Sequence, residues 1–164
     1  ELGHGRIAYL SGNIDVSTFR DRLRGFENAL YRAQVKPDPE LIHVLDPKNT
    51  EEVENTARKL MLMANPPSAI FCSTDMIALL CIDAIMAMGY RVPEHVSVAG
   101  IDNIRWASHQ LIQLTSAGHA KFNMGKIAAE QLIEIIEQDR AQDHFRQIVL
   151  KPELFVRKTT ARKL

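Results

Sequence analysis

Two kinds of apolar spacing alternate along this chain. Arg6 to Gly12 (R-I-A-Y-L-S-G) is a short apolar run closed by a glycine, and Phe19, Leu23, Phe26, Leu30 and Ala33 then recur every three or four positions. That pattern predicts a strand, a polar loop and an amphipathic helix. The Pro37 to Pro39 turn leads into a second predicted strand, Leu41 to Leu45, and Thr50 opens a helix with Val53, Ala57, Leu60, Met61 and Ala64 on one face. Pro66-Pro67 ends that helix, and Ala69 to Ser73 reads as a buried strand. Asp75 stands at the expected N-cap of a helix running to Met88, with Gly89 suited to its C-cap. Val96 to Ile101 is a fourth β-branched run.

Four strands alternating with three helices predict an α/β fold with a mostly parallel sheet, because strands joined through helices run in the same direction. Ligands of such sheets bind at the carboxyl ends of the strands. Here those ends are Gly12 to Ser17, Asp46 to Asn49, Thr74-Asp75 and Asp102-Asn103. The rest of the chain is patterned differently. Leu114 to Ala117 reads as a strand, Phe122 to Glu137 as a helix with Ile127, Ala128, Leu132, Ile135 and Ile136 on one side, and Arg146 to Leu150 and Leu154 to Arg157 as two short strands.

Composition narrows the function. The 164 residues carry 20 Lys+Arg against 20 Asp+Glu, so the formal charge is zero, which argues against a DNA-holding surface in this piece. The longest strongly apolar stretch, Met76 to Met88, is too short to span a bilayer, and the start lacks a basic-then-apolar export signal, so the expected location is the cytoplasm. Cys72 and Cys81 lack metal-ligand spacing and read as core thiols. No metal or cofactor is expected. Paired carboxylates, a nucleophile elbow and a phosphate loop find no match, so the expected class is not an enzyme.

V-P-E-H-V-S-V-A-G-I-D at Val92 to Asp102 resembles the V-P-x-D-[IV]-S-V-x-G-[FY]-D motif of the LacI/GalR family of bacterial transcription regulators. It is joined in order by L-G-H-G-R-I-A-Y-L-S-G at Leu2 to Gly12, R-D-R-L-R-G-F at Arg20 to Phe26, and S-A-I-F-C-S-T-D-M-I-A-L at Ser68 to Leu79. L-T-S at Leu114 to Ser116, M-G-K-I-A at Met124 to Ala128 and L-K-P-E-L-F-V-R-K-T-T at Leu150 to Thr160 complete the set. The resemblance implies a three-layer αβα lobe of the periplasmic-binding-protein type, forming the back part of an effector-binding region. By the family's chain path, residues 1–117 form the second lobe, 118–145 cross to the first lobe and 146–164 return. In such regulators a helix-turn-helix head and most of the first lobe precede the L-G-H segment, so DNA contact is expected through a domain outside this chain. The helix at Phe122 to Glu137 would then need its own lobe, a partner or nothing ordered against its apolar face.

The resemblance also nominates ligand residues. Arg22 matches the arginine that reaches into the cleft, apt for vicinal hydroxyls or a carboxylate; the plainer reading is a solvated helix arginine. Asp102 matches the aspartate that accepts from effector hydroxyls, or else simply forms the D-N turn. Thr74 stands where the family has a ligand-contacting asparagine, His119 where it often has glutamine, and Asn13 and Asp15 are weaker candidates in the first crevice loop. Pro47 replaces a frequent stacking aromatic, and Trp106 could compensate or pack on the lobe. The helix after Asp75 is apolar almost all round, and family dimerisation near it nominates Leu79, Leu80, Ile82 and Met86 as a homodimer interface, against burial under the C-terminal strands. The expected function is sensing a small polar effector such as a sugar within a DNA-binding repressor. The alternative is an exported sugar-binding or solute-binding protein of a transporter, which shares the architecture.

Overall fold

The computed structural model describes residues 2–119, 121–137 and 147–163. Ten regular elements follow in order: β1 (Ile7–Ser11), α1 (Ser17–Arg32), β2 (Ile42–Val44), α2 (Thr50–Met61), β3 (Ala69–Cys72), α3 (Asp75–Ala87), β4 (Ser97–Ile101), β5 (Thr115–Gly118), α4 (Lys121–Glu137) and β6 (Glu153–Phe155). One sheet takes the strand order β2-β1-β3-β4-β5-β6. Every neighbouring pair is parallel except β5 with β6.

Strand alternation explains the layers. Ala8 and Leu10 point to a core shared with Val53, Leu60, Ile77 and Ile85 of α2 and α3. Tyr9, between them, points the other way and stacks on Phe26 of α1 at 4.9 Å. The chain moves outward from β1 to β2 and then back past β1 to β3. Right-handed crossovers therefore put α1 on one face and α2 and α3 on the other. The carboxyl ends of β1 and β3 flank the point where this winding reverses, the place where sheets of this kind bind ligands.

Local signals account for most element ends. The Asn49 side chain accepts from the Glu52 amide at 3.1 Å and caps α2. Gly89, at φ +84°, closes α3 by donating to the Met86 carbonyl while the Tyr90 amide reaches the Ile85 carbonyl. Three expectations are corrected. The N-cap of α3 is Thr74, not Asp75: Thr74 is extended, its hydroxyl accepts from the Ile77 amide at 3.3 Å, and Asp75 already lies in the first helical turn. The strand expected over Arg146 to Leu150 does not form over 147–150, where Ile148 and Val149 are exposed; Arg146 falls outside the described residues. The last strand covers Glu153–Phe155, and its register pairs Ser116 with Phe155.

Beyond β6 the chain laces across the amino ends of the sheet. The Thr159 carbonyl accepts from the Val98 amide at 2.7 Å, and its hydroxyl accepts from the Thr115 amide at 2.9 Å. The Ala161 amide donates to Ser97 Oγ at 3.1 Å. By contrast, α4 buries none of its residues, and Phe122 and Ile136 are 82% and 69% exposed.

Candidate ligand site

Arg22 sits on the second turn of α1 and reaches over the carboxyl ends of the strands. Its Nη1 donates to the carbonyl of Ser73, the residue after β3, at 2.6 Å, and its Nη2 donates to Asp102 Oδ1, just past β4, at 2.8 Å. The two side chains are 16% and 29% exposed, so the pair is largely withdrawn from water but open on one side. In that setting the charges attract more strongly than they would at an exposed surface, and each keeps hydrogen-bonding positions for a third group. The end of β1 is held to the same point, because the Gly12 amide donates to Ser73 Oγ at 3.2 Å. A side chain at Gly12 would collide with the Phe19 ring, 2.6 Å from where its Cβ would lie.

Asp102 occupies an unusual backbone state. Its φ is +115° and that of Asn103 is +44°, so two consecutive non-glycine residues adopt positive φ at the site. Such residues cost about 1–3 kcal/mol each and persist where their surroundings over-determine them. The Asp102 amide donates to the Ala117 carbonyl at 2.8 Å, the Asn103 amide to Ser116 Oγ at 3.0 Å and the Ile104 amide to Asp75 Oδ2 at 2.8 Å. Asp75 is fully buried, and its other oxygen accepts from the Ser116 hydroxyl at 2.6 Å. Burial pushes its carboxyl above the ordinary carboxylate range, against the pull of the Ser116 and Ile104 hydrogen bonds. Glycine makes the room: a Cβ on Gly100 would stand 2.4 Å from Asp75 Oδ1.

The Arg22–Asp102 pair stands over the carboxyl ends of β3 and β4, beside the point where the strand order reverses. Residues 1–160 match the family model described as periplasmic binding protein-like domain. The chain belongs to that family. Within it the match is to the effector-binding region of LacI/GalR-type regulators. The HTH-type transcriptional repressor PurR of Aliivibrio salmonicida is 34% identical over 160 residues, 97% of this chain and 47% of that protein. Two solved structures are similar: a transcriptional regulator CelR–cellobiose complex (30% identical, TM-score 0.81, covering 96% of this chain and 47% of that one) and a lac repressor dimer bound to operator and an anti-inducer (26% identical, TM-score 0.81, covering 98% and 54%). The chain spans about half the length of the curated relatives it matches.

Not every nominated residue of this periplasmic binding protein-like lobe joins the pair. Thr74 is next to the Ser73 carbonyl, but its hydroxyl is engaged as the α3 cap. Asn13 and Asp15 occupy the exposed loop after β1, where Asn13 Oδ1 accepts from the Asp15 amide at 2.9 Å and shapes the turn. His119 lines a different feature, a groove of about 510 Å³ between α4 and the return segment, with Met124, Ile127, Gln131, Ile148 and Leu150. Trp106 is 61% exposed, with His109 6.0 Å away, and so does not pack into the lobe. On α3, Met86 is exposed, and Leu79 and Leu80 are half-buried. Ile82 belongs to the core and is withdrawn from any partner surface, which corrects its nomination.

Sequence reasoning missed Ser73, Asp75 in its buried role, Asn103 and Arg157. A detectable trace existed for Asn103, since Asp and Asn are the side chains that best tolerate positive φ and they stand side by side here. The other three contribute through backbone groups or through distant elements, which spacing along a chain does not reveal.

Proposed function

We propose that this chain is the effector-sensing and dimerisation part of a LacI/GalR-type repressor, and that it binds a small neutral polar molecule such as a sugar at Arg22 and Asp102. The observation that carries this reading is the half-shielded ion pair over the carboxyl ends of β3 and β4, beside the strand-order reversal. A vicinal diol suits it. One hydroxyl accepts from the guanidinium and the other donates to the carboxylate, whereas an acidic ligand would crowd a second anion beside Asp102. The bound sugars suggested by relatives, as in the cellobiose complex, fit the same chemistry.

Binding would act by selection rather than by catalysis. An effector shifts two arrangements of a regulator only by its differential affinity for them. Residues 1–117 with the return strand would form one lobe, and α4 would cross toward a facing lobe. DNA contact would lie with a helix-turn-helix domain outside these residues, in a cytoplasmic homodimer joined through Leu79, Leu80 and Met86. The repressor character of the relatives favours this over a transporter's binding protein. Among the described residues no helix is long and apolar enough to cross a membrane.

The test is a thermal-shift screen of neutral sugars, nucleosides and small acids on the full regulator, repeated with Arg22→Ala and Asp102→Ala. A sugar that raises the wild-type midpoint should bind each variant at least about tenfold more weakly, a loss of about 1.4 kcal/mol. Undiminished binding in both variants would remove the pair from the ligand site.

A further inference from the structure

We infer that Arg157, on the segment after β6, is a positioning residue for the Arg22–Asp102 pair: by holding Asn103 it keeps the positive-φ turn, and with it the Asp102 carboxylate, facing Arg22. The inference deepens the proposed ligand site and rests on it for its functional meaning. Its structural content stands separately.

The contacts converge on one turn. Arg157 Nη2 donates to Asn103 Oδ1 at 2.7 Å, and Nη1 donates to the Leu114 carbonyl at 2.5 Å. The Arg157 amide donates to Thr115 Oγ1 at 2.9 Å, and the guanidinium lies over the Phe155 ring, 5.3 Å from its centre. The arginine is therefore fixed at both its backbone and its head, and its position is set by β5 and β6 rather than by the turn it holds. Asn103 has little alternative placement. Its side chain sits across Gly118, where a Cβ would come within 2.6 Å of Asn103 Cβ and 3.0 Å of the Phe155 ring.

Asp75 grips the same turn from the other side through the Ile104 amide. The two grips differ in kind. Asp75 belongs to α3 and the core, whereas Arg157 belongs to the segment that follows β6. A change in the placement of that segment reaches the Asp102–Asn103 turn through the Arg157 side chain as well as through the pairing of β6 with β5, whose Ala117 carbonyl accepts from the Asp102 amide.

Arginine side-chain and backbone amide NMR of the ligand-free protein tests this without knowing the effector. With Arg157→Gln, the Asp102 and Asn103 amides should exchange with solvent about tenfold faster or more, and the Arg22 guanidinium signals should shift as the Nη2 contact with Asp102 loosens while Nη1 stays on the Ser73 carbonyl. The amides of Leu10 and Ile70 should stay protected. Arg157→Lys, which can still donate to Asn103, should recover part of the Arg22 signal. Asn103→Gly removes the acceptor, leaves β6 untouched and suits the positive φ, so it must reproduce the loss even where Arg157→Gln fails to fold. Unchanged Arg22 signals and unchanged exchange at 102–103 in these variants overturn the inference, whatever happens to overall stability. Failure of the ligand reading would appear separately, as full effector binding by Arg22→Ala.

Discussion

Helices α3 and α4 are both rich in isoleucine, leucine and methionine, yet α3 buries seven of its 13 residues while α4, four residues longer, buries none. The difference lies in the neighbours. α3 is flanked by α2 and by β3 and β4, so Ile77, Ala78, Cys81 and Ile85 are all covered. α4 offers Leu132, Ile133, Ile135 and Ile136 with 52–69% of their surface open, and its described ion pair, Lys126 with Glu130 at 3.7 Å, lies in water where it contributes little. Apolar periodicity thus specifies a helix and a face, but the partner of that face is a property of the assembled chain.

The largest expected effect is in the covered helix. Ile85→Ala should destabilise the protein by about 2–5 kcal/mol in chemical denaturation, because a fully buried side chain leaves a cavity that its neighbours cannot fill. A cost below about 1 kcal/mol would mean that α3 is less firmly packed than its burial indicates. The second effect concerns α3's outer stripe: Leu79→Lys combined with Met86→Lys should convert the proposed homodimer to monomer in sedimentation, weakening association by roughly 2 kcal/mol or more. A dimer that survives both lysines moves the interface elsewhere. The smallest effect belongs to α4. Leu132→Lys with Ile136→Lys should shift unfolding by no more than about 0.5 kcal/mol, since those side chains are 58% and 69% exposed among the described residues. A larger loss in the full regulator would show that the face is covered there, and would make the contrast between the two helices one of context alone.

Much of the fold was legible because the β/α units signal themselves locally. The runs at Arg6 to Gly12 and Ala69 to Ser73 are strands in the expected parallel sheet, and α1 to α3 start and stop within a few residues of their predicted limits. The meeting of Arg22 with Asp102 was also legible, through a family resemblance joined to the rule that crevices lie at strand ends. What stayed hidden depends on neighbours distant in the chain. Asp75 looks like a cap from its position before an apolar run, but Thr74 does that work and the carboxylate turns inward to Ser116, 41 residues away. The apolar run at Ile148 and Val149 has strand composition, yet both side chains are exposed and residues 147–150 join no strand of the described sheet. His119 is placed by sequence beside the crossing to α4, and in the structure it lines the groove beside α4, one residue after Gly118, which packs on Asn103.

The lacing of Thr159 and Ala161 over the amino ends of β4 and β5 has a consequence for biosynthesis. A nascent chain that has emerged only as far as β5 already contains α1 to α3 and five strands, but the Val98 and Thr115 amides then have only solvent to bond. The lower rim of the sheet is sealed after synthesis has carried residue 161 clear of the ribosome, so the final native contacts form after translation of the lobe is essentially finished.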